Sequence, residues 1–106
     1  MDQKAKILDI AMNLNRIGNW AADDYQSKQK RIKIFLDQTT EYINSLDSSS
    51  FPNSLKETLE KFRGEYFKLE KAGKRGPDDQ LSWAEKMMTW GNILTHRSNL
   101  IKETSF

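Results

Sequence analysis

Apolar residues return along this chain at steps of three, four and seven, the spacing of helices with one buried side. No window alternates apolar and polar residues over the length of a strand. The richest face lies in the C-terminal quarter, where Trp83, Met87, Trp90, Leu94 and Ile101 share one side of a helix. At roughly 1.5–3 kcal/mol per large buried side chain, such a face dominates the core of a small domain. Gly91 flanks it and leaves room for the close approach of another backbone.

Four helices are predicted, over about 2–17, 24–46, 55–72 and 80–102. Ile7, Ile10, Leu14, Ile17 and Ala21 share the first face, joined by Ala11 and Gly18, and Gly18-Asn19 offers a stop because both residues tolerate a left-handed backbone. Asp23 and Asp24 suit a new N-terminus. The second face runs through Tyr25, Ile32, Phe35, Leu36, Thr39, Tyr42, Ile43 and Leu46. Serines and Pro52 then mark a loop. Ser54 with Glu57 and Ser82 with Glu85 are candidate capping boxes for the third and fourth helices. Leu55, Leu59, Phe62, Tyr66 and Leu69 form the third face, with Gly73 as its C-terminal glycine. The last residues, Glu103 to Phe106, are expected to fray.

Four such helices with short connections fold most economically as one all-α domain over 1–106, an antiparallel up-down four-helix bundle. An alternative stays open. If the chain does not break at Gly18, the first two faces still line up, giving one long helix over 2–46, roughly 65 Å of rod, packed by two shorter helices.

Composition narrows the class. With 37% aliphatic and aromatic residues and 30% charged ones, the chain is too apolar for a disordered segment and too polar for a membrane span. No apolar run approaches ~18 residues, so neither a transmembrane helix nor a secretory leader is expected. The absence of cysteine removes disulfides and thiolate metal sites and fits a reducing cytoplasm. A net charge of +2 favours neither nucleic acid nor acidic lipid strongly.

Reactive constellations are sparse, so the protein is not expected to be an enzyme and no cofactor or metal is expected. His96 is the single histidine, and no glutamate stands three positions before it, as a carboxylate-bridged di-iron bundle requires. The acidic pairs Asp23-Asp24 and Asp78-Asp79 are explained by capping. Nucleophile-elbow, phosphate-loop and dinucleotide fingerprints are missing from the sequence.

Three surfaces remain. Leu8 and Met12, and Ile93 and Leu100, lie off the main faces at spacings of four and seven. If the first and last helices are neighbours, these strips, with His96 beside them, would merge into a patch of several hundred Å², a size that usually meets a partner. The expected function is therefore a regulatory or adaptor module that docks a partner protein or a copy of itself. A second reading uses Lys28, Lys30, Arg31 and Lys33, joined by Lys71, Lys74 and Arg75 if that linker folds nearby, for weak, salt-sensitive nucleic-acid binding. Asp37 is placed to pair with Lys33 there. A third reading makes Trp83, Met87 and Trp90 the lining of a small-ligand pocket.

Overall fold

The computed structural model describes residues 2–101. They form three α-helices, α1 (Gln3–Asn44), α2 (Asn53–Arg75) and α3 (Gln80–Arg97), and a closing 3-10 turn over Ser98–Leu100. The all-α class is as expected, but α-helices number three and not four among the described residues.

The difference lies in α1. It has no interruption at Gly18-Asn19. Its one non-helical residue is Asp24, at φ −162° and ψ 92°. Gly18 serves another purpose: a Cβ there would stand 2.9 Å from the Ala84 carbonyl oxygen of α3, so the missing side chain permits close approach and does not end a helix. Asp24 restarts the helix as a cap, its carboxylate accepting from the Ser27 backbone N–H at 3.3 Å.

The chain reverses at that point. Asp47 N donates to Gln3 Oε1 at 2.8 Å, and Lys6 Nζ to the Ser45 carbonyl at 3.0 Å. In a straight helix residues 3 and 47 would stand roughly 66 Å apart, beyond the 46 Å longest dimension of the molecule. The alternative reading therefore holds in its element order, one long helix over 3–44 and two shorter ones, but not as a straight rod. Between the two arms of α1, Trp20 packs edge-on against Phe35, ring centroids 4.9 Å apart, and Asn13 Nδ2 donates to Gln38 Oε1 at 3.0 Å. Trp20 thus seals the seam between the arms, with the Arg31 guanidinium 5.3 Å from its ring centroid.

The predicted faces supply the core. Ile7, Ile10, Leu14, Ile17, Tyr25, Ile32, Leu36, Ile43, Leu55, Phe62, Tyr66, Trp83, Met87 and Leu94 are all buried. Trp90, expected among them, is only half-buried.

Helix ends depart from the expected boxes. Pro52 occupies the cap position of α2 without a side-chain hydrogen bond, and Ser54 lies inside that helix. Asp79 caps α3, accepting from Ser82 N at 3.0 Å, so a short acidic side chain does what the Ser82–Glu85 box was expected to do. Gly73 is buried within α2 against the Trp83 ring, and the left-handed residue that stops the helix is Gly76, at φ 100°. α3 ends at Arg97, short of the expected 102. Lys102 and the fraying expected of Glu103 to Phe106 lie outside the described residues.

Candidate functional site

The two sides of α3 are built differently. Toward the first arm of α1 it presents small residues. Ala84 and Gly91 are buried there, Ala84 opposite Gly18. The atoms nearest a Cβ on Gly91 belong to the Asn15 side chain, at 2.7–2.9 Å, and not to a backbone as the sequence suggested.

Toward α2 the spacing is wider and indoles bridge it. Trp83 Nε1 donates to the Leu69 carbonyl at 2.9 Å, and the ring stands edge-on to Tyr25 with centroids 6.3 Å apart. About two helical turns further along, Trp90 packs on Phe62 at 5.3 Å and donates from Nε1 to Glu65 Oε2 at 2.6 Å. Beyond Trp90 the two helices leave an open groove of about 400 Å³. Its floor is apolar: Leu69, Trp90 and Ile93. Glu65 and Lys68 stand on the α2 rim, Lys86 and Thr89 on the α3 rim. Toward the α2–α3 connection a second, separate hollow shares Lys68, Leu69 and Lys86 and is lined also by Ala72, Pro77 and Trp83. Cavities of this size and lining are the usual places for an apolar guest held by a few polar groups.

This groove divides the expected partner-binding residues. Ile93 lines it. Gly91, two residues earlier and therefore about 200° around the helix, faces α1. Leu8 and Met12 lie on the exposed side of α1, 37% and 44% accessible, and Leu100 and His96 are exposed at the far end of α3. Ile93 lies on the α2 side of α3. The sequence signal for the groove was Ile93 itself, off the main stripe; Lys68 and Lys86 carried none.

The expected ligand pocket is also redistributed. Trp83 and Met87 are buried in the core, so of that trio Trp90 alone contributes much surface to a cavity.

Of the basic residues, Lys74 is brought from α2 to the second arm of α1. Lys74 Nζ lies 2.5 Å from Asp37 Oδ1 and 3.6 Å from Glu70 Oε2, placing the end of α2 beside the second arm of α1. Asp37 therefore pairs with Lys74 and not with Lys33, because the neighbouring helix brings a cation closer. Its carboxylate holds the Lys74 ammonium above the ordinary lysine range. Lys28 pairs with Asp23, and Arg31 rests on Trp20. Carboxylates and a ring thus engage three of the seven cations, while Lys30 and Arg75 stay exposed and Lys33 is half-buried.

One polar cluster lies deeper. Tyr66 donates to the Leu36 carbonyl at 2.8 Å and shares Thr40 Oγ1 with Glu70. Burial pushes the Tyr66 phenol well above its ordinary value, so the ring stays protonated and ties α2 to α1. Among the described residues no three histidine, cysteine or acidic side chains cluster as a metal site, and no helix is long and apolar enough to cross a membrane.

Comparison of the chain with protein-family models, with curated proteins and with solved structures finds no match.

Proposed function

We propose that this protein is a non-catalytic interaction module, a small regulatory or adaptor subunit that docks a partner protein. The observation that carries this reading is the α2–α3 groove, where apolar side chains are held open to solvent between two otherwise amphipathic helices. Large apolar side chains elsewhere on the surface, such as Met12 and Leu81 at 44% and 58% accessibility, extend the apolar area available for contact. We read the two arms of α1, with α2 and α3, as the four members of an up-down bundle that acts as a rigid frame for this groove. A reducing cytoplasm is the compartment that best suits a chain without cysteine.

Affinity capture from native lysate, with a size measurement on the eluate, tests the reading. A defined complex larger than the monomer supports it, and self-association counts as docking of a second copy. A chain that elutes alone as a monomer at every concentration removes it.

Nucleic-acid binding is a second reading, favoured by the Lys74–Asp37 contact, which brings Lys74 to the arm of α1 that carries Lys30 and Lys33. Salt separates the two. Phosphate contacts weaken steeply between low and moderate salt, whereas apolar docking changes little.

A further inference from the structure

We propose that the chain forms a weak, reversible homodimer through the outer face of α2. Two copies of the helix lie antiparallel about a two-fold axis that passes between Gly64 and Phe67. This face is turned away from α3, so the inference goes beyond the groove and does not depend on what fills it.

One stripe of α2 carries the inference. Glu57, Glu60, Gly64, Phe67, Lys71 and Arg75 follow one another at steps of three and four, share one side of the helix and are all exposed. Their order is two carboxylates, a gap, a ring and two cations. Read in reverse, each charge meets its opposite and the ring meets the gap. Antiparallel pairing therefore sets Glu60 opposite the partner's Lys71, Glu57 beside the partner's Arg75, and Phe67 over the partner's Gly64. A two-fold interface must be complementary to itself, and this stripe is so in both charge and shape.

The single chain makes little use of the same features. Gly64 stands inside α2, where glycine is disfavoured, yet a Cβ there would meet nothing within 4 Å. Phe67 leaves 40% of its surface in water. Glu57, Glu60, Lys71 and Arg75 make no ion pair or side-chain hydrogen bond among the described residues. Within one helix Glu60 and Lys71 stand roughly 16 Å apart and cannot meet. The helix dipole favours acid in the first turn and base in the last, but Glu60 and Lys71 lie outside those turns. Neighbouring charges point elsewhere: Lys68 lines the α3 groove with Glu65, and Lys74 pairs with Asp37 and Glu70. Two 23-residue helices meeting on one stripe bury less than the roughly 1,200 Å² of a stable interface, so the association is weak.

Sedimentation equilibrium of the full chain tests this. The mass should rise with concentration from 12.4 kDa toward twice that value. Phe67→Glu and Gly64→Leu should each weaken the dimer at least tenfold. Glu60→Lys alone and Lys71→Glu alone should each weaken it several-fold, because like charges then face each other. The double variant Glu60→Lys, Lys71→Glu should restore it to within twofold of the parent. Ile93→Glu, in the groove, should leave it unchanged. Thermal melts check that each variant folds. A dimer that the double variant fails to restore, or one lost in Ile93→Glu and kept in Phe67→Glu, overturns the proposal. A purified chain that stays monomeric while capturing a foreign protein overturns the dimer and leaves the docking reading standing. A monomer that captures nothing overturns both.

Discussion

The two seams that hold α3 make opposite use of its surface. Against α1 the helix is close: Gly18 admits the Ala84 carbonyl, and small residues line both sides. Against α2 it stands off, and two indoles span the gap. Close packing of small residues leaves no room for a guest but contributes dispersion over the whole contact. Packing by long aromatic side chains reaches across a gap and leaves a trough between them. A single helix can therefore be anchored on one side and remain available on the other, and sequence spacing alone gives little sign of which side is which.

Substitutions can test that contrast, and calorimetric or denaturant melts measure each one. Trp83→Ala should cost the most, about 3–5 kcal/mol, because the indole is buried against Tyr25 and Gly73 and donates to Leu69. Gly18→Val should follow at about 1–3 kcal/mol, since the new side chain meets a carbonyl that cannot move aside without shifting α3. Trp90→Ala should cost about 2 kcal/mol, because only part of that indole leaves water. If Trp90→Ala costs as much as Trp83→Ala, the α2–α3 seam is as well packed as the core and the contrast fails.

Glycines sharpen it at the small end. Gly64→Ala should stabilise by about 0.4–1 kcal/mol: it sits inside α2 with nothing within 4 Å of a new Cβ. Gly91→Ala should be nearly neutral. The Asn15 carboxamide can swing away, and helix propensity offsets the shift at roughly 1 kcal/mol. A loss beyond 2 kcal/mol there would mean that Asn15 is fixed and that this part of the seam is as unyielding as Gly18.

Much of the core was readable from spacing. The buried sets of Ile7 to Ile17 and of Leu55 to Leu69 follow the helical period because burial of one side is what creates that period. The restart at Asp24 was legible as a helix N-terminus, but the stop before it was placed at Gly18, and the first arm runs on to Asp23. Glycine at 18 carries the stronger stop signal, and close approach and helix termination both select glycine, so the residue alone cannot separate them. Capping boxes misled for a related reason: several short polar residues near a helix start all satisfy the motif, and the tertiary path decides which is used. The groove was half legible. Ile93 stood out as an apolar residue off its stripe, but the seam it faces depends on which helix lies beside it. Trp90 looked central because periodicity reports the direction of a side chain around its own axis, not the distance to the neighbour it points at.

The Asn13–Gln38 hydrogen bond has a bearing on how the chain finds its alignment. Asn13 is buried among isoleucines and leucines that would accept one another at several offsets. Sliding either arm of α1 by one turn would strand that amide in oil-like surroundings, at a cost of about 1–3 kcal/mol. One polar rung can thus act as a zip-tooth, rejecting misaligned hairpins that the greasy rungs around it would tolerate.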